Sequence, residues 1–176
     1  MLSNDELEAN NRRFSAAFTG GQLGATPARK LVVLTCMDAR IDPLRLLGLR
    51  DGDAHILRNA GGRASDDAIR SIVISQQLLG TRHVVVIHHT GCGLFNVTND
   101  ELRQNFSGAL GTKVAGMDFL PLGPDVTASV CEDVRGLSQH PLLASDTKVH
   151  GYVYDVVTGR ITAVGSGRQS CTGGTT

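Results

Sequence analysis

The sequence predicts an α/β fold, with a mainly parallel central sheet of about four strands, an antiparallel edge strand and flanking helices. Short apolar runs at residues 31–35 and 83–88 have the composition of buried strands, and helical segments separate the predicted strands. Such alternation of strands and helices is typical of a parallel sheet. The alternating segment 148–156 is joined to residues 160–164 by a Thr-Gly turn, which indicates a hairpin and therefore an antiparallel edge.

A single domain is expected, because a chain of 176 residues can bury a sizeable core without a second unit. We assign residues 1–165 to this domain. Residues 166–176 are rich in Gly, Ser and Thr, and this composition predicts a disordered tail.

The first element in chain order is a helix. Ser3 and Glu6 have the spacing of a capping box, and the helix is expected to extend through about residue 18. Its apolar residues are sparse, so it is not expected to be stable alone. We therefore expect residues 1–28, which comprise this helix and the following loop, to pack on a partner subunit.

Capping residues and apolar residues at helical spacing predict four more helices. They cover about residues 42–47, 66–79, 98–109 and 124–137. A second strand is predicted at residues 54–57, between the first two of these helices. Residues 111–124 mix Gly, Pro and polar side chains, which indicates a long loop with little regular structure.

The overall composition excludes several classes of function. Lys plus Arg and Asp plus Glu both number 17, so no binding to nucleic acid or to an anionic membrane is expected. The sequence shows neither an apolar stretch long enough to span a membrane nor a secretory leader. Four cysteines, two of them in a metal-binding pattern, fit a reducing compartment better than a disulfide framework. We therefore expect a cytoplasmic protein.

Two predicted parallel strands each end in residues that can bind a metal. Cys36 follows the first, and alternation along an extended chain is expected to point Cys36, Asp38 and Arg40 the same way. His89 and Cys92 follow the strand at 83–88. Because ligands of open α/β sheets bind at the carboxyl ends of the strands, the two thiols and the imidazole are predicted to form one site. Three ligands with an open fourth position are typical of catalytic zinc, and Asp38 could ligate the metal or accept a hydrogen bond from water on it.

Less specific interpretations exist for each of these residues. Cys36 could be a buried thiol, His89 and Cys92 could be a loop histidine beside a packing cysteine, and Asp38 with Arg40 could form a surface ion pair. Their occurrence together at strand ends favours a metal site.

Other residues carry weaker signals. The segment that begins at Arg58, Arg-Asn-Ala-Gly-Gly, could be a turn between a strand and a helix or could take part directly in binding. His88 is expected to face away from His89 and to help shape the pocket without binding metal. Cys131 is expected to pack in the apolar face of its helix, and Cys171 is expected to be free and exposed in the tail.

With these motifs, the chain resembles the β-class carbonic anhydrases. The patterns Cys-x-Asp-x-Arg, Arg-Asn-Ala/Ile and His-x-x-Cys-Gly occur in the order of that family, beginning here at Cys36, Arg58 and His89. The chain looks most like a compact branch that also includes carbonyl sulfide and carbon disulfide hydrolases. The resemblance implies Zn²⁺ bound by Cys36, His89 and Cys92, and a homodimer or tetramer.

The activity implied by the resemblance is reversible hydration of CO₂ to bicarbonate by a zinc-bound hydroxide. One alternative is hydrolysis of COS or CS₂ at the same site, giving H₂S and CO₂. A second alternative is a non-enzymatic zinc module, although a structural zinc would need neither Asp38 nor Arg40.

Each of these two residues has an expected role in catalysis. Asp38 is expected to orient the reacting water while Arg40 holds its carboxylate, and loss of that pair would free Asp38 to become a fourth ligand. Allosteric members of the family carry Trp where this chain has Val33, so inhibition by bicarbonate through that Trp and Arg58 is not expected.

Overall fold

The computed structural model describes residues 1–166 and contains one five-stranded sheet. Its strands are β1 (Leu31–Cys36), β2 (Ala54–Asn59), β3 (His83–His89), β4 (Lys148–Tyr154) and β5 (Ile161–Ser166). Their order across the sheet is β2-β1-β3-β4-β5, with β1 to β4 parallel and β5 antiparallel to β4. The predicted fold class, a mainly parallel sheet with an antiparallel edge, is confirmed. Ser166 ends β5, and residues 167–176, with Cys171 and the rest of the predicted tail, lie outside the described residues.

Local sequence signals determine where the helices begin and end. The helices are α1 (Asn4–Ala16), α2 (Pro43–Leu47), α3 (Asp66–Leu79), α4 (Asn99–Leu110) and α5 (Val126–Gln139). Capping boxes open α1 at Ser3 and α4 at Thr98, and Gly80 ends α3 in the left-handed conformation.

The beginning of α5 and the preceding loop differ from the prediction. Helix α5 begins two residues after Pro124, because the Asp125 side chain caps it by accepting a hydrogen bond from the Thr127 amide. The predicted long loop contains a short 3₁₀ helix (Gly111–Val114), and Gly123 forms a β-bridge with Phe95. The region is therefore more ordered than its composition indicated.

Both faces of the sheet are covered near the centre, which explains why β1 is buried throughout. On one face, Val32, Val84 and Val86 pack with Ile72 of α3 and Val130 of α5. On the other face a smaller cluster packs against the leucines of α2 and of the segment that follows it. This cluster contains Leu31, Val33, Val85 and Ile87. The two faces together hold the carboxyl ends of β1 and β3 side by side, and the candidate site lies there.

Helix α1 is the exception to this packing. None of its residues is buried, and Phe14, Phe18 and Leu23 of the helix and the following loop are 61%, 50% and 53% exposed. The expectation that this segment packs on a partner subunit stays a prediction. Among residues 1–166, no helix combines the length and the apolar character needed to cross a bilayer.

Candidate metal centre

The structure brings together the three residues predicted to bind a metal. Cys36 ends β1, His89 ends the neighbouring parallel strand β3, and Cys92 lies in the loop that follows. All three are buried, and their sulfur and nitrogen ligand atoms lie within 4.8 Å of one another. Bonds from one zinc ion of about 2.3 Å to sulfur and about 2.0 Å to nitrogen span such separations.

The imidazole of His89 has the orientation expected of a metal ligand. Its Nδ1 lies 2.9 Å from the Thr90 carbonyl oxygen, so Nδ1 carries the proton and donates it there. Its Nε2 is buried and has no hydrogen-bond partner among the described residues. A buried nitrogen without a partner is costly unless something else binds it, and a metal ion between this nitrogen and the two sulfurs fits that requirement.

The two thiols share a contact that favours loss of a proton from Cys36 and opposes it at Cys92. The contact with the Cys92 thiol lowers the pKa of Cys36, against the effect of burial. The His89 side chain and the amides of Asp38 and Gly61 contribute to that lowering. The same thiol–thiol contact, together with burial, raises the pKa of Cys92. Only one thiolate is therefore favoured by the protein alone, and a bound dication would stabilise the second.

Burial lowers the pKa of His89, but the interactions with the Cys36 sulfur and the Thr90 carbonyl outweigh it, so the pKa rises overall. A proton on Nε2 therefore competes with a metal ion. The site should lose affinity for metal as the pH falls.

Asp38 and Arg40 form a charged pair at the edge of this group. The backbone amide and Nε of Arg40 donate to Asp38 Oδ1, both at 2.9 Å, and Arg40 Nη2 donates to Oδ2 at 2.7 Å. These hydrogen bonds hold the pKa of Asp38 well below its usual range. Asp38 Oδ2 lies 3.9 Å from His89 Nε2, which places the carboxylate beside the metal-binding atoms.

The reason for this pairing differs from the predicted one. Strand β1 ends at Cys36, and Arg40 lies in a turn, so alternation along an extended chain does not orient Asp38 and Arg40. The turn lets Arg40 fold back onto Asp38. Arg40 Nη2 also donates to the Gly91 carbonyl at 3.1 Å, which connects this turn to the loop that carries Cys92.

Arg58 holds the backbone around the first ligand. Its Nε donates to the Cys36 carbonyl at 3.0 Å and its Nη2 to the Asp38 carbonyl at 2.7 Å. Gly62 has φ +72° and packs so closely that a Cβ would lie 2.8 Å from the Cys36 nitrogen. Of the two interpretations left open for this segment, its contacts favour a turn that supports the metal loop.

His88 faces away from His89, as expected, but does not line the site. Its Nδ1 lies 2.7 Å from Ser129 Oγ and its Nε2 lies 3.1 Å from Asp133 Oδ2, both on α5. The side chain is fully buried and supports the end of β3 from the opposite face of the sheet. Cys131, on the same helix, is partly buried.

Apolar side chains that the sequence did not single out pack in one cluster with the two cysteines. Ile41, Leu122 and Leu94 pack with Cys36 and Cys92. We call Leu94 and Leu122 the apolar cover, since the Leu122 amide donates to the Leu94 carbonyl at 2.9 Å and so joins two distant segments beside the site. Leu122 lies in the predicted long loop, where no local pattern marks it as a site residue.

Known proteins similar to this chain include carbonic anhydrases and carbon disulfide hydrolases. A family model described as "Carbonic anhydrase" matches residues 31–117. "Beta-carbonic anhydrase 1" of Mycobacterium tuberculosis is 36% identical over 165 residues, covering 93% of this chain and 99% of that protein. "Carbon disulfide hydrolase" of Acidianus sp. is 36% identical over 156 residues, covering 76% of each chain. The crystal structure of carbonic anhydrase from Streptococcus mutans matches with a TM-score of 0.86 and 42% identity, covering 94% of this chain and 99% of that one.

Proposed function

Because the chain belongs to the β-carbonic anhydrase family, which has carbon disulfide hydrolases among its close relatives, we propose that it catalyses the reversible hydration of CO₂ to bicarbonate. The proposed cofactor is Zn²⁺, held by Cys36, His89 and Cys92. The observation that carries the proposal is the buried group of two thiols and one imidazole whose Nε2 has no hydrogen-bond partner among residues 1–166. CO₂ is placed first because the match to the carbonic anhydrase covers 93% of this chain, against 76% for the carbon disulfide hydrolase.

When bound, Zn²⁺ supplies Lewis-acid activation of a water molecule for attack on the carbon of CO₂. Two thiolate ligands offset the charge of the ion, so the surrounding residues have to make the site effective. Ile41 and the apolar cover keep bulk water away from the sulfur atoms, which strengthens the remaining electrostatic interactions.

Asp38 is the residue proposed to orient the reacting water. Its low pKa keeps the carboxylate ionised, and an ionised carboxylate only accepts hydrogen bonds. Arg40 restrains this group through both oxygens, so Asp38 faces the site without moving onto the metal. We assign Asp38 the catalytic role and Arg40 the role of positioning it.

A second candidate is hydrolysis of CS₂ or COS at the same residues. The 36% identity to a carbon disulfide hydrolase favours it, and an apolar cover suits an apolar sulfur-containing substrate. Both reactions begin with attack of water on the central carbon of a linear molecule. In the hydration of CO₂ no atom leaves the carbon, and the products are bicarbonate and a proton. In the hydrolysis of COS or CS₂ the carbon–sulfur bonds break, and sulfur leaves as H₂S.

We further propose a homodimer or tetramer in the cytoplasm. Exposed Phe14 and Phe18 on and beside a helix without buried residues support the assembly. The two buried thiols of the site support a reducing compartment, because oxidation would prevent them from binding metal.

Turnover of CO₂, COS and CS₂ should be measured side by side on one zinc-loaded preparation. We expect the highest kcat/KM for CO₂, and we expect Cys92→Ser to abolish turnover of every substrate that the parent uses. A higher kcat/KM for CS₂ or COS would replace the first candidate by the second. No turnover of any of the three by a fully zinc-loaded protein would reject both.

A further inference from the structure

Arg63 is a buried cation that lies close to the metal centre without belonging to it. Its side chain is 7% exposed. Nη1 donates to the Pro121 carbonyl at 2.8 Å and Nη2 donates to Glu132 at 2.6 Å, while Nε lies 3.1 Å from Asp133 Oδ2. One guanidinium therefore connects the segment around Pro121 to helix α5.

The helix side of this connection is firmly anchored. Asp133 Oδ2 also accepts a hydrogen bond from the Ala64 amide at 3.1 Å and lies 3.1 Å from His88 Nε2. His88 lies in β3, directly before the proposed ligand His89. Arg63 Nε is thus paired at 3.1 Å with a buried carboxylate that also contacts the central sheet.

The other side of the connection leads to the apolar cover. Leu122 directly follows Pro121, and two hydrogen bonds join the segments 94–96 and 121–123: Leu122 N to Leu94 O at 2.9 Å and Asn96 N to Gly123 O at 2.7 Å. A Cβ on Gly61 would lie 3.2 Å from the Arg63 stem, 3.2 Å from Leu94 and 3.5 Å from Leu122. The Gly61 amide also interacts with the sulfur of Cys36, a proposed ligand. Arg63 and both leucines therefore lie beside a residue that itself contacts the metal-binding group.

We propose that Arg63 is a positioning residue that holds the apolar cover over the metal centre. The Pro121 carbonyl accepts from a charged donor, and such hydrogen bonds are stronger than those between neutral groups. The donor is fixed to α5 and to β3, so the cover is attached to the same framework that carries His89. The use of this cover in catalysis rests on the proposed function, whereas its attachment through Arg63 does not.

Amide hydrogen exchange of the zinc-loaded full chain, followed by NMR, tests the attachment directly. Arg63→Met keeps the apolar stem and removes the donors. It should speed exchange at Leu122 and Asn96 by about tenfold or more, the effect of losing one charge-assisted hydrogen bond. Exchange at Ile72 in α3 should stay at the parent rate. Arg70→Met is the matched control, because Arg70 forms its ion pair with Asp67 on the exposed face of α3, and its loss should leave both cover amides unchanged.

Asp133 keeps the Ala64 amide and His88 as partners in Arg63→Met, so we expect the variant to fold. If Arg63→Met does not fold, exchange at Leu122 and Asn96 is measured in Arg63→Lys. This variant retains a buried cation but not the guanidinium that contacts Pro121, Glu132 and Asp133 together. Faster exchange confined to the two cover amides supports the proposal. Parent rates at Leu122 and Asn96, or equal acceleration at Ile72, overturn it.

Catalysis provides the second readout. Zinc content should stay at the parent value in Arg63→Met while kcat/KM for the best substrate falls by about tenfold, and Arg63→Lys should recover part of that loss. Absence of turnover in the parent protein would reject the proposed function and leave the exchange result to decide the attachment.

Discussion

Replacing Asp38 by Asn separates catalysis from metal binding. The side chain keeps its size and none of the three proposed ligands changes, so zinc content should stay near one per chain. In the parent, Arg40 donates twice to Oδ1 and once to Oδ2. If the Asn oxygen retains the two bonds at the Oδ1 position, its amide nitrogen takes the place of Oδ2. A donor then faces the metal-binding atoms where an acceptor stood, 3.9 Å from His89 Nε2.

The size of the expected effect follows from this geometry. Removing one preorganised hydrogen-bonding group from an active site typically costs about 10²–10³-fold in kcat. The side chains of Asp38 and Arg40 are 18% and 52% exposed, so water screens the pair in part. We therefore expect a loss at the lower end, about 10²-fold in kcat for CO₂.

Stopped-flow CO₂ hydration with a pH indicator, together with metal analysis, measures both quantities on one sample. Asp67→Asn is the control, because Asp67 forms a comparable pair with Arg70 on an exposed helix face and should have no effect. A zinc-loaded Asp38→Asn protein that hydrates CO₂ at the parent rate would show that the carboxylate is a bystander.

Arg40→Ala tests the positioning role from the other side of the pair. Without the Arg40 side chain, Asp38 loses the hydrogen bonds from Nε and Nη2 and keeps only the one from the residue-40 amide, so its carboxylate is freer to move onto the metal. The variant should retain zinc and be nearly inactive around neutral pH, and activity should partly return when Asp38 is also replaced by Asn. No recovery in the double variant would argue against a carboxylate that moves.

Three further predictions concern metal, assembly and pH. Cys36→Ser, His89→Ala and Cys92→Ser should each remove the zinc, and full occupancy of Cys92→Ser in a metal assay would contradict the ligand set. Deleting residues 1–18, the segment with exposed Phe14 and Phe18, should weaken assembly in sedimentation velocity and lower activity with it; a fully active monomer would speak against a role in assembly. The hydrogen bond from the Thr98 amide holds the pKa of Glu101 below its usual value. The contact therefore stabilises the folded protein above the unfolded pKa of about 4.3, and this stabilisation is lost as the pH falls through the folded pKa. Glu101→Gln should therefore melt at a lower temperature than the parent at neutral pH, and this difference should shrink as the pH falls below about 4.3; a difference that does not change with pH would refute this linkage.

Much of this protein follows from short segments of sequence. Ser3, Ser65 and Thr98 cap helices because a side-chain oxygen satisfies amides a few residues ahead, and this interaction needs no distant partner. The continuous apolar runs of β1 and β3 indicate strands covered on both faces. Parallel strands align their carboxyl ends at one edge, so placing Cys36, His89 and Cys92 together required only the strand assignments and the order of the motifs.

Only the tertiary structure decided how the surroundings of the site are built. Whether Arg40 reaches Asp38 depends on a turn after β1 and not on strand alternation, and Arg40 also contacts Gly91, 51 residues away. Arg63 contacts Pro121 and Asp133, and Leu122 packs in the cluster with Cys36 and Cys92 from a segment whose composition indicated a loop. Such contacts depend on how helices and loops pack onto the finished sheet. The free energy that selects them comes from burial and charge pairing between distant residues, and the local spacing of residues along the chain does not encode it.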